Sequence, residues 1–268
     1  MDREKEKYLG EVSMKNAVIE WIRDYFKDNF DGYAIIGISG GKDSTICAAL
    51  LKEAIGADRI IAVMMPNGVQ SDIEDSYAVC DYLKIPEENR FEVNIETAFR
   101  SIKNEIFAGC SQYAIWHKDT IEKNDTIKTN LPSRLRMCTL YTVAALYENA
   151  RVCNTSNASE RFIGYSTKWG DNVGDFAPLA NLTVREVLSI GDALGLPYYL
   201  VHKEPSDGMS GKSDEEKLGF SYEELDAFLL ENIGPGIEKE AKMLRLHRIN
   251  QHKIDPIPKF CPISNDDE

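Results

Sequence analysis

The stretch Gly37-Ile38-Ser39-Gly40-Gly41-Lys42-Asp43-Ser44 decides how this chain of 268 residues folds. The apolar run Ala34-Ile35-Ile36 precedes it, and residues 45–51 continue it with mostly apolar side chains. This order is typical of a buried strand, a tight glycine turn and a helix. Such a turn points backbone N–H groups at one place, where the helix adds partial positive charge. The stretch, called the glycine loop below, therefore predicts a site for a phosphate or pyrophosphate.

Two common phosphate-binding motifs do not match the glycine loop. The Walker motif requires Gly five residues before its Gly-Lys pair and Ser or Thr directly after the Lys, but Ile36 and Asp43 occupy these positions. The dinucleotide motif G-x-G-x-x-G does not fit the spacing of the glycines in this loop. Asp43 would place a carboxylate beside phosphates, which is favourable mainly when a metal ion lies between them. The alternative interpretation is a plain strand–helix turn that needs small residues.

Composition limits the possible partners and compartments. The net charge is −13, from 44 acidic and 31 basic residues, and this balance argues against a nucleic-acid-binding surface. No apolar run approaches the roughly 20 residues that span a bilayer, so no membrane partner is expected. The charged N-terminus lacks the apolar core of a signal peptide, and the six cysteines form no C-x-x-C pair. We therefore expect a cytoplasmic protein with reduced thiols.

Predicted strands and helices alternate along the chain. Apolar residues 60–65 and 91–95 and the short segment 151–154 predict three strands after the first one. Residues 14–30 predict an amphipathic helix, and Ser71, Thr183 and Ser221 each begin a capping box. We expect an α/β fold with a doubly wound, mostly parallel sheet and helices on both faces. We also expect one domain over residues 1–268, with residues 203–219 as a mobile lid loop.

Two further blocks carry side chains suited to binding. Residues 130–137 contain Arg134 and Arg136, which face different sides of a helix because they are two positions apart, so at most one reaches a given ligand. Surface ion pairs are the alternative for both arginines. Residues 154–160 follow a predicted strand, where Thr155 could bond an adenine edge and Glu160 could bind magnesium. The alternative is that a serine of this block caps a helix and Glu160 only favours its first turn.

Residues 164–175, called the long loop below, contain many functional side chains. Long irregular loops are costly to order and often carry function. Lys168 can balance a phosphate or carboxylate of a ligand, and Asp175 can accept hydrogen bonds from a ribose or an amide. The alternative is a surface loop with a Lys–Asp pair.

In this order and with these intervals, the glycine loop and the other blocks resemble the ammonia-dependent NAD synthetases of the ATP pyrophosphatase superfamily, from about residue 14 to residue 253. The resemblance implies an adenine nucleotide alpha-hydrolase-like fold with Asp43 and Glu160 as magnesium ligands. It implies deamido-NAD contacts from Arg134, Lys168, Asp175, His252 and Lys253, and catalytic roles for Asp43, Lys168, Asp171 and Asp175. The residues implied to hold ATP are Gly37, Ile38, Ser39, Gly40, Gly41, Lys42, Asp43, Ser44, Thr155 and Ser206.

The implied reaction uses ATP as co-substrate to convert deamido-NAD to NAD through an adenylate, with release of AMP and pyrophosphate. A chain of this length leaves no room for a glutamine amidase domain beside the α/β core, so free ammonia is the expected donor. A homodimer with deamido-NAD near the subunit boundary is also implied. The alternatives are another adenylating member of the superfamily, such as a tRNA thiolase, and a non-catalytic nucleotide sensor.

Two positions depart from the family pattern. Val184 stands where many members have a lysine that contacts phosphate, and Ile254 stands where many have an arginine. Arg185 or Lys212 could supply the missing charge.

Overall fold

The structure is a computed structural model that describes residues 3–70, 72–109, 125–202 and 214–260. Its sheet contains four strands: β1 (Ala34–Gly37), β2 (Ile60–Met64), β3 (Arg90–Glu92) and β4 (Arg151–Val152). Their order in space is β3-β2-β1-β4, and every pair is parallel. An isolated parallel bridge between Cys153 and Phe176 extends the sheet beyond β4. The predicted parallel α/β sheet is confirmed.

The helices alternate with the strands along the chain, as a parallel sheet requires. Those of the N-terminal part are α1 (Arg3–Asp28), α2 (Lys42–Ile55), α3 (Ile73–Leu83), α4 (Glu96–Gly109) and α5 (Asp125–Ala144). Those after β4 are α6 (Ala158–Ile163), α7 (Val184–Ala193), α8 (Tyr198–Val201), α9 (Asp214–Leu218), α10 (Tyr222–Glu231) and α11 (Ile237–Ile254). Short 3-10 turns at Ala57–Arg59 and Glu87–Asn89 lead into β2 and β3.

Alternate strand residues point to opposite faces of the sheet, and each face is covered by helices. Ile36 and Ala62 belong to an apolar cluster that also contains residues of α1, α2, α3 and α7. Ile35 and Ile61 belong to a second cluster, which contains residues of α5. The central strands are therefore buried on both sides, which explains their continuous apolar sequence.

The N-terminal helix is longer than predicted and packs on the core. Helix α1 starts at Arg3 instead of residue 14. Ile22 and Phe26 are fully buried, Met14, Val18 and Tyr25 pack against the same cluster, and Trp21 is 46% exposed. The apolar stripe of residues 14–30 is therefore mainly core of this chain.

Helix starts were predicted well where a capping box was present. Thr183 and Ser221 each accept a hydrogen bond from the backbone of a glutamate three residues later, and both capping boxes are formed. Ser71 lies outside the described residues, and α3 begins after Asp72 without a side-chain cap. Helix α5 starts at Asp125 and continues through Pro132, although proline is normally tolerated only in the first turn of a helix.

The predicted lid falls mostly on residues 203–213, outside the described part of the chain. Residues 214–218, which were predicted as loop, form α9 instead. Leu218 is buried in a third apolar cluster with Phe220 and residues of α6, α10 and α11, and this burial favours the helix. The assignment of residues 1–268 to one domain stays a prediction.

Two properties of the described chain concern its environment. Within these residues, no helix has both the length and the apolar content for a bilayer crossing. Cys47, Cys80, Cys138 and Cys153 are free thiols, and the first two and the last are buried.

Candidate active site

The glycine loop connects the carboxyl end of β1 to the N-terminus of α2. Gly41 is the N-cap of the helix and has an ordinary extended backbone. Gly40 has a φ of +75°, and a β-carbon built on it would lie 2.7 Å from the Cβ atom of Asp75 in α3. Gly40 is therefore required both by its backbone conformation and by the close approach of α3. The loop opens at the carboxyl edge of the sheet, where ligands of such folds bind.

Hydroxyl groups hold the shape of the glycine loop. The Ser44 hydroxyl donates to the Gly41 carbonyl at 3.0 Å, and the Thr45 hydroxyl donates to the same oxygen at 2.8 Å. The Gly41 N–H donates to Ser39 Oγ at 3.2 Å, and the Ser39 N–H donates to Ser44 Oγ at 3.3 Å. These bonds link residues at most five apart, so the loop is fixed largely by its own sequence.

Two acidic side chains beside the loop lie within electrostatic reach of each other. Asp43 lies in the first turn of α2, and Glu160 lies in the first turn of α6. The pKa of Glu160 is raised to about 8, first by burial and then by the negative charge of Asp43. The Lys42 ammonium and a hydrogen bond from the Asn157 backbone oppose this rise. Two carboxylates with mutual repulsion are suited to share a cation.

This pair of oxygen ligands fits Mg²⁺, which binds through one or two carboxylates and completes its shell with water and phosphate oxygens. The described residues contain no cluster of three or more acidic, His or Cys ligands. Asp43 Oδ1 accepts a hydrogen bond from Asn157 Nδ2 at 3.2 Å, and Asp43 Oδ2 contacts Lys42 Nζ at 2.8 Å. Asn157, rather than a serine, also caps α6.

The segment after β4 lies at the same sheet edge. Thr155 is half-buried and follows the bridge between Cys153 and Phe176. Asn154 Nδ2 donates to the carbonyl of Asp171 at 2.9 Å, which ties this segment to the long loop. A β-carbon on Gly174 would lie 2.7 Å from the backbone nitrogen of Asn154, so the two segments are in direct contact.

Asp171 is exposed and is placed by two neighbours. Its Oδ1 atom accepts hydrogen bonds from the Ser133 hydroxyl at 2.8 Å and from the Thr167 N–H at 2.7 Å. The Asp171 charge is one of the causes that raise the pKa of Glu160. It therefore lies within electrostatic reach of the carboxylate pair.

Both carboxylate oxygens of Asp175 accept hydrogen bonds from the protein. Its Oδ2 atom accepts from the Val152 N–H at 2.8 Å, and its Oδ1 atom accepts from the Tyr141 hydroxyl at 3.2 Å. Burial, and then the Asp175 charge, raise the pKa of Tyr141 to about 12. Asp175 thus joins β4 to α5, a role that the sequence did not indicate.

The two arginines of α5 diverge, as predicted. Arg134 is exposed, and its Nε atom donates to the carbonyl of Lys168 in the long loop at 3.2 Å. Arg136 donates to the carbonyl of Met65, directly after β2, at 3.1 Å. Burial lowers the pKa of Arg136, and the Asp171 charge opposes this effect. The sequence favoured Arg134 for the ligand, but Arg136 also lies at the carboxyl edge of the sheet.

The C-terminal helix α11 is joined to the long loop by side chains that donate to carbonyl groups. Lys168 Nζ donates to the His252 carbonyl at 2.5 Å, and Lys253 Nζ donates to the Gly164 carbonyl at 2.8 Å. Burial lowers the pKa of Lys253, and Asp171 opposes this effect. The His252 ring is exposed and contacts the carbonyl of Ile249.

A cavity of about 210 Å³ lies between the long loop and the end of α11. It is lined by Arg161, Trp169, Asn172, Val173, Lys253, Ile254, Asp255 and Pro256. Asn172 Nδ2 donates to the Lys253 carbonyl at 2.7 Å, whereas Asn172 Oδ1 is buried and has no hydrogen-bond partner in the described chain. No local pattern indicates Asn172, because its contact joins residues 81 positions apart.

Other predicted site residues lie elsewhere or outside the described residues. Val184 is buried in the third apolar cluster, so no charged group extends from this position. Arg185 forms an ion pair with Glu231 at 2.5 Å on the surface, which argues against it as a phosphate ligand. Ser206 and Lys212 lie in the undescribed segment 203–213.

Comparisons with known proteins agree with this geometry. Residues 14–259 match the NAD synthase family. The chain is 34% identical over 254 residues to the NH(3)-dependent NAD(+) synthetase of Alkaliphilus metalliredigens, covering 93% of this chain and all of that protein. It is 36% identical over 233 residues to the enzyme of the same name from Thermococcus sibiricus, covering 87% of this chain and 85% of that protein.

A solved structure of an NMN synthetase from Francisella tularensis is also similar. It has a TM-score of 0.77 and 28% sequence identity, and the match covers 95% of this chain and 98% of that one. The sequence match and the glycine loop at the end of β1 lead to the same assignment: the chain belongs to the NAD synthase family.

Proposed function

We propose that this protein amidates deamido-NAD to NAD with ammonia and ATP, releasing AMP and pyrophosphate. The observation that carries the proposal is the glycine loop at the carboxyl end of β1, with Asp43 electrostatically coupled to Glu160. Family membership and the named relatives support the same reaction. Among the described residues, no contact specifically favours a tRNA thiolase or a nucleotide sensor.

The first step joins the two substrates. The nicotinate carboxylate attacks the α-phosphorus of ATP, and pyrophosphate leaves. In this proposal the glycine loop, Thr155 and Ser206 hold ATP, and the loop N–H groups stabilise charge on the leaving pyrophosphate. Asp43 and Glu160 would hold Mg²⁺, which supplies positive charge to the phosphate oxygens when bound. The protein mainly positions the reactants and stabilises charge.

The second step forms the amide. Ammonia attacks the adenylated carboxyl carbon, and AMP leaves. Asp171 and Asp175 are the two carboxylates proposed to accept the proton from ammonium. We favour Asp171, because both Asp175 oxygens already accept bonds from the scaffold and Asp171 is electrostatically coupled to Glu160.

The dinucleotide acid is proposed to bind between the long loop and α11. Arg134, Lys168, His252 and Lys253 lie along this junction, and the two lysines link the loop to the helix. Lys168 is also proposed to balance negative charge on the substrates during the reaction. Asp175 is proposed to contact deamido-NAD from a position that its bonds with Val152 and Tyr141 hold in place. The buried Asn172 oxygen provides a further acceptor in the cavity.

The similarity to an NMN synthetase raises a second candidate substrate. That activity would amidate the nicotinate mononucleotide instead of the dinucleotide, by the same adenylation chemistry. The deciding experiment incubates the purified protein with ATP, Mg²⁺ and ammonium, and with either acid in turn. We expect NAD, AMP and pyrophosphate in equal amounts from deamido-NAD, with a higher kcat/KM than for the mononucleotide.

Other outcomes of this experiment would contradict the proposal. A preference for the mononucleotide would identify an NMN synthetase, and ADP with orthophosphate would exclude cleavage at the α-phosphorus. ATP binding without turnover would indicate a sensor, and adenylation that requires tRNA would indicate a thiolase. Replacing ammonium by glutamine tests the nitrogen donor, and we expect no NAD from glutamine.

We also propose a homodimer in the cytoplasm, with the dinucleotide near the subunit boundary. The exposed apolar side chains Leu230, Ile233, Ile237 and Leu244, on or next to α10 and α11, support a protein contact. The four free cysteines among the described residues fit a reducing compartment. Light scattering coupled to size exclusion should give twice the chain mass of 30.2 kDa, and a monomer mass would contradict the dimer.

A further inference from the structure

Lys42 is a buried lysine at the centre of the glycine loop. Its side chain is only 7% exposed, although lysine is rarely buried without a charged partner. Its Nζ atom lies 2.8 Å from Asp43 Oδ2 and 5.8 Å from the centroid of the Tyr222 ring. Lys42 is also the first residue of α2, where the helix dipole disfavours a positive charge. The position therefore has an electrostatic cost that the nearby carboxylates must offset.

Those carboxylates are the pair that fits magnesium. The Asp43 charge raises the pKa of Glu160 by like-charge repulsion, and the Lys42 ammonium opposes this effect. Other basic residues near the site have different partners: Arg185 pairs with Glu231, and Lys168 donates to the His252 carbonyl. The ammonium of Lys42 and a magnesium ion would therefore compete for the Asp43 carboxylate.

We propose that Lys42 is a placeholder cation, whose ammonium offsets the repulsion between Asp43 and Glu160 before nucleotide binds. When Mg²⁺ binds to Asp43, the ammonium would move to the ATP phosphates. This inference rests on the proposed function, because it assigns a role within the same ATP site. A lysine suits the exchange, since its ammonium is a compact charge on a flexible stem that can change partner without new backbone geometry. Neighbouring loop N–H groups keep the phosphates close to the released ammonium.

The placeholder role predicts opposite effects on two ligands. Without Lys42, free Mg²⁺ meets no competitor at Asp43 and binds more tightly in the absence of ATP. ATP loses a charged hydrogen bond and binds more weakly. A lysine that only supports the fold would not tighten binding of the metal.

The test uses Lys42→Gln, Lys42→Arg and, as a matched control, Lys52→Gln in the last turn of the same helix. The full-length protein is melted with EDTA and with increasing Mg²⁺, without nucleotide. We expect Lys42→Gln to lower the melting midpoint in EDTA and to increase the Mg²⁺-dependent rise above that of the wild type. In steady-state assays its KM for ATP should rise about tenfold, with KM for deamido-NAD unchanged. Lys52→Gln should behave as the wild type.

The melting and kinetic results can each overturn the placeholder role. An equal Mg²⁺ response of wild type and Lys42→Gln, or an unchanged KM for ATP, overturns the placeholder role. If Lys42→Gln does not fold, Lys42→Arg decides, because it retains the charge and should keep the weak Mg²⁺ response of the wild type. A large Mg²⁺ response of Lys42→Arg would overturn the role. Failure of the proposed function is separate, because it would change the products of the wild-type enzyme.

Discussion

The phosphate side and the dinucleotide side of the site are built in different ways. Most residues of the glycine loop are buried or half-buried, and the hydroxyl bonds that hold its shape join residues at most five apart. The junction of the long loop with α11 is half-buried, and its bonds join residues 81 to 89 positions apart. A local backbone structure has few ways to adjust, whereas a junction of long side chains has many. Changes on the phosphate side should therefore have the larger effects.

The largest effect is expected for Asp43→Asn. The substitution keeps the shape of the side chain but removes one of the two carboxylates proposed to hold magnesium. We expect kcat/KM for ATP to fall by about 10³-fold, as for loss of a main charge-stabilising group. Asp58→Asn, an exposed change near the start of β2, is the control. If kcat/KM for ATP of Asp43→Asn stays within tenfold of the wild type, the carboxylate pair is not required for the reaction.

Gly40→Ala tests the backbone of the glycine loop. A β-carbon there would meet Asp75 at 2.7 Å, in a conformation with positive φ. Gly195 has a similar φ of +70°, but a β-carbon there has nothing within 4 Å. Both variants carry the strain of about 1–2 kcal/mol for a left-handed residue, but only Gly40→Ala must also displace the loop. We expect kcat/KM for ATP to fall about 100-fold in Gly40→Ala and to stay near wild type in Gly195→Ala. Equal losses would mean that strain alone matters.

The same contrast explains what the sequence could predict. The glycine loop, the parallel sheet and the capping boxes at Thr183 and Ser221 depend on residues that are close in the chain, and they were predicted. The partners of Asp175 and Asn172 depend on how distant segments meet, and no local pattern contains this information. Pro132 within α5 shows a third case, in which packing of the helix on the sheet overrides a local preference.

Lys253→Met tests whether the dinucleotide side of the site can be changed without affecting the phosphate side. The change removes the bond to the Gly164 carbonyl and one charge beside the cavity, while it keeps an unbranched side chain. We expect KM for deamido-NAD to rise about tenfold with little change in KM for ATP. The exposed Lys259→Met is the matched control. A comparable rise in both KM values would show that the two sides are not independent.

The smallest effect is expected for Tyr141→Phe, at the point where the scaffold holds Asp175. Loss of one hydrogen bond of 3.2 Å should lower the free energy of unfolding by about 1 kcal/mol and change kcat by less than about threefold.

The pKa of Tyr141 is raised to about 12 from 10.0, so the folded state holds its proton to higher pH than the unfolded state. The stability from this phenol is complete below pH 10 and is lost as pH rises through about 12. Near-ultraviolet titration of the folded protein should therefore show one late-ionising phenol fewer in the variant. A kcat loss as large as that of Asp43→Asn would instead place Asp175 in the chemistry, and proton transfer would then depend on Asp175 rather than Asp171.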